Sequence, residues 1–319
     1  MIIRRFEQED TEYEAIFAVE KAVWPENPTT VAEYKYADET HNPEHFKERI
    51  VVEKNGRIVA FAGYGEIWWA SDAGRYRFGI TVHPDYERQG IGTAVFNHIL
   101  TRLNEQPIKP QILECGTYQH KPQSIRFIEK LGFKLAMRWN ISTLDVPNFD
   151  VTQFANLREK IAGQGIIIRN VPAQMAHDPE WQTNLWELDW ALTLDEPHTS
   201  EPQKLPFAEF VRRYIDAPQM IMDAWYVALD NGRYVGMTQL ESNESDPTRY
   251  STGFTGVIRS HRRRGLATAL KTYAIEYAQQ QGIQLIRTGN EENNPMYDLN
   301  RALGFTDLTA NLAFEKQLD

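Results

Sequence analysis

Two glycine-containing turns, each predicted between a strand and a helix, are the segments of this sequence best suited to chemistry. They are Arg88-Gln89-Gly90-Ile91-Gly92 and Arg263-Arg264-Gly265-Leu266-Ala267. Such a turn points several unpaired backbone N–H groups at one place, and the dipole of the following helix adds positive potential there. Gly90 and Gly265 have no Cβ, so an anion can approach the backbone closely. Each turn is therefore predicted to bind an anionic ligand.

The two turns differ from the best-known glycine-rich phosphate-binding motifs. Neither turn is a Walker A loop, because no Gly-Lys-Ser/Thr follows the glycine. Neither is a Rossmann fingerprint, because Gly-x-Gly-x-x-Gly is absent from both. A tight strand-to-helix turn that binds nothing remains open for each copy, since short glycine motifs often occur without a ligand. The occurrence of two copies at matched positions favours the anion site.

The two turns belong to an internal repeat. Asn55-Gly56-Arg57 has a counterpart in Asn231-Gly232-Arg233, and Leu131-Gly132-Phe133 has one in Leu303-Gly304-Phe305. Together with the glycine turns, three kinds of landmark recur in one order, each between 172 and 176 residues after its first copy. One order and nearly one spacing indicate a tandem duplication.

Each half of the chain predicts the same series of elements. An opening strand and helical sequence precede a type I′ hairpin at Asn-Gly, and a further strand then enters the glycine turn. An amphipathic helix, another strand and a short helix that ends at Leu-Gly-Phe follow. The predicted buried face of the second amphipathic helix is Leu266, Ala269, Leu270, Tyr273, Ala274 and Tyr277. We expect an α/β (α+β) protein with domains 1–148 and 149–319 and a connecting helix within 149–164.

The composition disfavours several classes of protein. The 319 residues, with 42% hydrophobic and 24% charged, are typical of a globular protein with two domains. No apolar run approaches the roughly 18 residues of a membrane span, and we expect no secretory signal. The single cysteine, Cys115, excludes an internal disulfide, and no metal site is predicted. A net charge of −10 disfavours nucleic acid, so we expect a soluble cytoplasmic protein that binds neither nucleic acid nor membrane.

The segment Val82-His83-Pro84-Asp85-Tyr86-Glu87-Arg88-Gln89-Gly90-Ile91-Gly92-Thr93-Ala94 resembles the acyl-CoA-binding motif of the GNAT superfamily of N-acyltransferases. The core pattern of that family is Gln/Arg-x-x-Gly-x-Gly/Ala. Residues 262–267 satisfy it in full, whereas Glu87 stands at the Gln/Arg position of the first copy. The family's late helix often shows Asn, a small residue, Leu-Tyr and then Gly-Phe. Those places hold Asn293, Met296, Leu299, Asn300, Gly304 and Phe305, or, in the first half, Lys121, Ser124, Phe127, Ile128, Gly132 and Phe133.

This resemblance covers nearly the whole chain and implies two tandem GNAT domains, similar to the mycothiol-synthase type. It implies that each domain has a mixed, mostly antiparallel sheet flanked by helices, with two central strands splayed to admit the pantetheine of acetyl-CoA. The cofactor-binding residues that it implies in the first half are Val82, Arg88, Gln89, Gly90, Ile91, Gly92 and Thr93. In the second half they are Val257, Arg262, Arg263, Arg264, Gly265, Leu266, Ala267, Thr268 and Asn293.

The resemblance also implies that an amine of a small-molecule acceptor attacks the acetyl thioester directly. A free alkyl amine has a pKa of about 10.4, so most such enzymes supply a general base, and a Tyr often reprotonates the thiolate. The usual carboxylate position holds Tyr76 or Ser251, and the usual Tyr position holds Ile128 or Asn300. The candidate catalytic residues are therefore Glu241, Tyr297 and Asn300. For Glu241 and Tyr297 a surface or packing role remains the alternative.

Two functions of different classes remain open at this point. One is an acetyl-CoA-dependent N-acetyltransferase; the other is a non-catalytic acyl-CoA-binding or sensing protein, since the usual carboxylate and Tyr are missing. The acceptor cannot be named from the sequence, because variable loops build that cleft. Three differences predict that the second half carries the catalysis. The second half has Arg262, Asn293 and Asn300 at the positions where the first half has Glu87, Lys121 and Ile128.

Overall fold

The computed structural model describes residues 1–26, 28–70 and 72–318, and the chain forms two compact units. Unit 1 comprises Met1–Met137, Thr199–Gln203 and Leu312–Asp319. Unit 2 comprises Arg138–His198 and Lys204–Asn311. In the described ranges, no helix combines the length and apolarity needed to cross a membrane.

Unit 1 is built from a sheet and four helices within the part of the chain described here. Its elements in chain order are β1 (Ile2–Arg5), α1 (Asp10–Val23), α2 (Val31–Glu39), β2 (Lys47–Lys54), β3 (Arg57–Glu66), β4 (Arg75–Val82), α3 (Ile91–Asn104), β5 (Ile112–Tyr118), α4 (Pro122–Lys130) and the first residues of β6 (Lys134–Asp145). The strands lie in the order β1-β2-β3-β4-β5. The β4–β5 pair is parallel and the preceding pairs are antiparallel.

Unit 2 repeats this architecture and begins within β6. Its elements are α5 (Ala155–Ala162), β7 (Ile166–Asn170), α6 (Val171–Met175), α7 (Trp181–Thr193), α8 (Phe207–Phe210), β8 (Tyr226–Asp230), β9 (Arg233–Ser242), β10 (Arg249–Val257), α9 (Leu266–Gln280), β11 (Leu285–Glu291), α10 (Pro295–Ala302) and β12 (Thr306–Gln317), whose residues from Leu312 belong to unit 1. Its sheet contains β6-β11-β10-β9-β8-β7 in that order, with β10 and β11 parallel. The predicted mixed, mostly antiparallel α/β fold is confirmed.

The turns predicted from glycine and asparagine have the expected backbone. Asn55 and Gly56 have φ angles of 52° and 73°, and Asn231 and Gly232 have 49° and 82°, as type I′ hairpins require. Gly132 and Gly304, with φ of 87° and 92°, follow the last turns of α4 and α10. These positions were predictable because a positive φ restricts the residue type locally.

The parallel pair in each unit is joined only at its beginning. Among the described residues, β4 and β5 pair from Arg75–Ile112 to Arg77–Glu114, after which β4 continues to Val82 and β5 to Tyr118. In unit 2, β10 and β11 pair from Arg249–Leu285 to Ser251–Arg287. The strands diverge beyond these pairs, so each sheet contains the splay that the resemblance implied.

The core of unit 2 lies where α7 and α9 pack on the sheet. Leu185, Leu188 and Leu192 of α7 share one apolar cluster with Leu266 and Leu270 of α9. Burial of each such side chain contributes about 1.5–3 kcal/mol, so this cluster holds both helices against the strands.

The buried face of α9 is wider than the sequence predicted. Lys271 and Thr272 are buried, whereas Tyr273 and Tyr277 of the predicted face are half-buried. Lys271 is buried against Thr252 of β10, and Thr272 is buried against α5. Arg158 of α5 donates from Nε to Thr272 Oγ1 at 3.2 Å and lies 3.9 Å from the centroid of the Tyr273 ring.

Candidate active site

The two glycine turns have nearly the same backbone conformation. Arg88 and Gly90 have φ angles of 59° and 80°, and Arg263 and Gly265 have 63° and 85°. Left-handed residues in such a turn direct successive N–H groups to one side, which forms a concave anion site. Gly90 and Gly265 are the N-caps of α3 and α9, and no described side chain caps either helix. The N–H groups of both first helical turns are therefore available to an anion.

A cleft of about 790 Å³ follows the second turn into the splay between β10 and β11. This volume is typical of a small-molecule site. The predicted cofactor-binding residues in its wall are Val257, Arg262, Arg263, Gly265, Leu266, Ala267, Thr268 and Asn293. Arg264 is exposed on the same turn but lies outside this wall. The structure thus brings nearly all of the residues predicted for the second half into one cleft.

The guanidinium of Arg262 is held by protein atoms. Its Nε donates to the carbonyl oxygen of Val257 at 2.9 Å, and its Nη2 pairs with the Asp195 carboxylate. Arg259 donates to the same carboxylate from Nε at 2.7 Å, and hydrogen bonds from both arginines lower the pKa of Asp195. Because two guanidinium groups share one carboxylate, this cluster keeps a net positive charge beside the turn, and we expect it to add to the attraction of the backbone N–H groups and Arg263 for an anion.

At the first turn a side chain packs against the second glycine, Gly92, while the space around Gly90 is open. A Cβ on Gly92 would lie 3.1 Å from the Phe127 ring, so the late helix of unit 1 packs directly on the turn. Gln89 accepts from Lys54 Nζ at 2.6 Å, and Ile91 is buried while Thr93 is exposed. Lys121 donates to the carbonyl oxygen of Val23 at 2.6 Å, so its ammonium is directed to the end of α1.

A β-bulge in unit 2 lies in the wall of the cleft. The register between β10 and β9 shifts between Thr252 and Phe254, so Gly253 is the inserted residue. A bulge leaves one residue outside the ladder, with its backbone groups unpaired. In unit 1, β4 pairs with β3 from Tyr76 to Val82 without a shift. The bulge therefore distinguishes the two units.

Glu241, a catalytic candidate from the sequence, lies against this bulge. A Cβ on Gly253 would be 2.6 Å from Glu241 Oε1 and 2.8 Å from Gln239 Nε2, so only glycine fits. Glu241 and Gln239 are two residues apart on β9 and share one face of the strand. The carboxylate is thus beside unpaired backbone in the cleft wall, as a general base for a reaction there would need to be.

Tyr214 lies near Glu241 and also near two acidic groups, Asp189 and Glu196; the sequence predicted none of these three residues. Burial, with a smaller contribution from the charge of Glu196, raises the pKa of Asp189 on α7 to about 7. Burial raises the pKa of Tyr214 to about 12, with smaller effects from Asp189, Glu196 and Glu241. These groups come from α7, the segment after it, the helical turn Val211–Ile215 and β9, so no local spacing in the sequence joins them.

The other two catalytic candidates occupy different surroundings. Asn300 is 1% exposed, lines the cleft, and donates from Nδ2 to Asn290 Oδ1 at 2.6 Å. Its Oδ1 has no hydrogen-bond partner in the described part of the chain. Tyr297 donates its hydroxyl to Asp307 Oδ2 at 2.7 Å and lies outside the cleft wall. Of the three candidates, Asn300 lines the cleft, Glu241 lies behind the wall against Gly253, and Tyr297 is directed to Asp307.

Lys271 of α9 is a cleft residue that the sequence analysis also missed. It is 3% exposed, and its Nζ lies 3.5 Å from Thr252 Oγ1. Burial lowers the pKa of its ammonium to about 7. The signal that could have found it is the repeat, because the position six residues after Gly90 holds Phe96, an apolar core residue.

Cys115 and His261 are both held in structural surroundings. Burial raises the pKa of the Cys115 thiol to about 12, so the thiol is protonated, as expected of a buried packing residue. His261 pairs through Nε2 with Asp230 Oδ2 at 2.9 Å. In residues 1–26, 28–70 and 72–318, no group of three or more His, Cys, Asp or Glu side chains could hold a metal ion.

Comparison with known proteins places these features in a family. The sequence matches the Acetyltransferase (GNAT) family over residues 13–133 and 183–305, once in each half. No curated protein matches the sequence significantly.

Solved structures share the fold at low sequence identity. A tandem GNAT protein from the clavulanic acid biosynthesis pathway is 19% identical, with 99% of this chain and 98% of that chain covered and a TM-score of 0.76. A GCN5-related N-acetyltransferase from Sphaerobacter thermophilus is 16% identical over 99% and 95% of the two chains, with a TM-score of 0.68. A GNAT-family acetyltransferase from Colwellia psychrerythraea is 15% identical over 99% and 100%, with a TM-score of 0.59. On the two family matches and the tandem fold, the chain belongs to the GNAT acetyltransferase family, with one copy of the family segment in each half.

Proposed function

We propose that the protein transfers an acetyl group from acetyl-CoA to an amine of a small-molecule acceptor, and that unit 2 carries the reaction. The observation that supports this most directly is the cleft of unit 2, which joins the anion-binding turn, the splay and the bulge beside Glu241. We also propose that residues 1–148 and 149–319 act as separate domains. The free Cys115 thiol is consistent with a reducing compartment such as the cytoplasm.

The residues of the second turn fit the phosphates of acetyl-CoA. The open N–H groups before and within the first turn of α9 would receive the pyrophosphate, and the exposed Arg263 and Arg264 would add positive charge. The diverging edges of β10 and β11 have unpaired backbone groups for the amides of the pantetheine. Bound acetyl-CoA supplies an acetyl group activated as a thioester.

The three carboxyl groups near Tyr214, those of Asp189, Glu196 and Glu241, suit an acceptor that arrives as an ammonium ion. Asp189 and Glu196 would attract the positive charge, and Glu241 would take a proton from the nitrogen before it attacks. The unpaired backbone at Gly253 would stabilise negative charge that develops on the carbonyl oxygen.

Unit 1 is better suited to binding than to catalysis. It has the same turn conformation, but β4 has no register shift against β3 and Phe127 packs on Gly92. We therefore propose for unit 1 the second candidate function, a GNAT domain that supports the protein without performing the reaction.

The test of the proposed function is release of CoA from acetyl-CoA in the presence of a panel of primary amines. We expect thiol release with acceptors that carry a primary ammonium group, together with N-acetylated product detected by mass spectrometry. The matched control is the same panel with each primary amine converted to a tertiary amine, which cannot form a stable amide. Tight CoA binding with no turnover on any amine would instead support a non-catalytic acyl-CoA-binding protein.

The raised pKa of Asp189 predicts a pH dependence for acceptor binding. The carboxylate is neutral below about pH 7 and charged above it, because its pKa is raised to about 7. An alkylammonium acceptor stays charged until about pH 10.4. Burial raises the pKa of Glu196 to about 7 as well. The acceptor KM should therefore fall as the pH rises through 7; Asp189→Asn should lose part of this dependence, and Asp189→Asn/Glu196→Gln should lose most of it.

Steady-state kinetics at saturating acetyl-CoA would measure this effect. Glu187→Gln is the matched control, since Glu187 lies on the same helix and pairs at the surface with Lys204 at 2.6 Å. A KM that depends equally on pH in the wild-type protein and in Asp189→Asn would contradict a role for Asp189 in attracting the acceptor.

A further inference from the structure

The repeat allows each position in the catalytic unit to be compared with its counterpart. In unit 1 the rings of Phe78, Phe96 and Phe133 form a cluster with centroid separations of 5.4, 5.6 and 6.0 Å. Phe78 is the first residue of β4 beyond its last pair with β5, Phe96 lies six residues after the turn glycine, and Phe133 follows Leu-Gly. The equivalent residues in unit 2 are Thr252, Lys271 and Phe305.

Two aromatic core residues are thus replaced by a polar pair at the point where the strands diverge. Lys271 and Thr252 both line the cleft, and Lys271 Nζ lies 5.3 Å from the centroid of the remaining ring, Phe305. An amine buried where the other repeat has a phenyl ring costs free energy, since burial disfavours its charged form. Burial is the cause of its lowered pKa, and the residues that face Nζ are Thr252 and Phe305.

Lys271 contacts the strand residue that precedes the bulge, on the α9 face of the sheet, whereas Glu241 lies against the bulge from the other face. Thr252 is adjacent to the bulge residue Gly253, and Gly253 contacts Glu241. The ammonium therefore lies at the narrow end of the splay, on the floor of the cleft. The Tyr that the family often uses is absent there, and Asn300, which stands in its place, uses its Nδ2 for Asn290.

We propose that Lys271 donates the proton that the sulfur of CoA receives when the acetyl group leaves it. This role rests on the proposed function. As the acceptor nitrogen bonds to the acetyl carbon, the carbon–sulfur bond breaks and its electron pair goes to sulfur. Lys271 transfers one N–H proton to that sulfur and becomes neutral, and Glu241 holds the proton released by the acceptor. Water then returns a proton to Lys271 and removes one from Glu241, so charge and protons balance.

The chemistry of the two groups suits this transfer. An alkyl thiol has a pKa of about 8.5, so a proton moves favourably from an ammonium whose pKa is about 7. An ordinary exposed lysine, with a pKa near 10.4, would retain its proton against the same thiolate.

The experiment measures the thiol pKa of CoA bound to the protein, from the ultraviolet absorbance of the thiolate as pH is raised. We expect kcat at pH 7 to fall by more than tenfold in Lys271→Met, which has no proton to donate. Lys271→Arg should not restore kcat, since a guanidinium does not release its proton. The bound thiol should titrate at least one pH unit lower in Lys271→Arg than in Lys271→Met or the wild type, because the guanidinium stays charged where the thiol titrates, whereas Lys271, with a pKa of about 7, is already neutral there.

Phe96→Met is the matched control at the equivalent position of unit 1, and it should change neither the thiol pKa nor kcat. Equal thiol pKa values in Lys271→Arg and Lys271→Met, or an unchanged kcat in Lys271→Met, with CoA bound to each variant, would overturn the role of Lys271 alone. Failure of CoA to bind the wild-type protein would overturn the proposed function and this role together.

Lys271→Met also tests the cost of the buried amine, and the variant is expected to fold. The folded-state pKa of Lys271 is lowered from 10.5 to about 7, so the unfolded chain binds the extra proton between those pH values. Removal of the amine should raise Tm most below pH 7, and the gain should disappear as the pH approaches 10.5. A variant with a Tm equal to that of the wild type at every pH would show that the amine is not buried.

Discussion

Gly265→Asp is expected to abolish CoA binding to unit 2 and with it turnover, whereas Gly90→Asp should lower turnover by less than about tenfold, or roughly 1.4 kcal/mol. The new carboxylate at position 265 would lie at the turn whose N–H groups face the cleft, where it would exclude and repel a phosphate. Both glycines have φ angles near the left-handed region, at 85° and 80°, so the backbone strain of the two substitutions is matched.

The surroundings of the two glycines differ, and the experiment must allow for it. A Cβ on Gly265 would lie 2.6 Å from Leu157 Cδ1, whereas no described atom lies within 4 Å of a Cβ on Gly90. Gly265→Ala adds the same Cβ without the charge, so it separates the steric effect from the electrostatic one. If Leu157 obstructs folding, the double variant Leu157→Ala/Gly265→Asp removes the obstruction.

Calorimetric titration with CoA would measure binding, and thermal unfolding would establish that each variant is folded. Unchanged CoA affinity in folded Gly265→Asp would refute the assignment of the second turn to CoA. A larger loss of turnover in Gly90→Asp than in Gly265→Asp would place the active site in unit 1.

The features that the sequence predicted are those that one residue type enforces locally. Asn-Gly hairpins, the turn glycines and the Leu-Gly-Phe helix ends each need a positive φ, and their order along the chain showed the repeat. The splay followed from the family resemblance. The residues in the wall of the cleft around Gly265 were predictable because the turn and the helix that follows it are contiguous in sequence.

The features that the sequence did not predict depend on contacts between distant segments. One of these contacts is the pairing of the Arg262 guanidinium with Asp195, 67 residues earlier in the chain. The bulge at Gly253 is visible only from the pairing register between β10 and β9. The proximity of Asp189 and Tyr214 depends on how α7 packs in unit 2. The burial of Lys271 was not predicted because the helical pattern of α9 was interpreted without its counterpart. The equivalent residue in the other repeat, Phe96, is buried and apolar, which indicates a buried position.

Glu241→Gln is expected to lower kcat at pH 7 by between about 100-fold and 10,000-fold, the range that a general base usually contributes. Glutamine keeps the shape of the side chain beside Gly253 but cannot accept the proton of the acceptor. As the pH approaches the acceptor pKa of about 10.4, the amine loses its proton to solvent and the base becomes dispensable. The deficit of the variant should therefore shrink steadily between pH 7 and pH 10.

The control for this experiment is Gln239→Met, which alters the other side chain against Gly253 and leaves the Glu241 carboxylate in place. Gln239 is 3% exposed and its Oε1 has no hydrogen-bond partner among the residues described, so its loss should cost little turnover. Turnover at each pH would be followed by thiol release at saturating concentrations of both substrates. A deficit in Glu241→Gln that stays constant from pH 7 to pH 10 would show that Glu241 positions the acceptor and that another group accepts its proton. An equal deficit in Gln239→Met would assign the effect to the packing of the bulge.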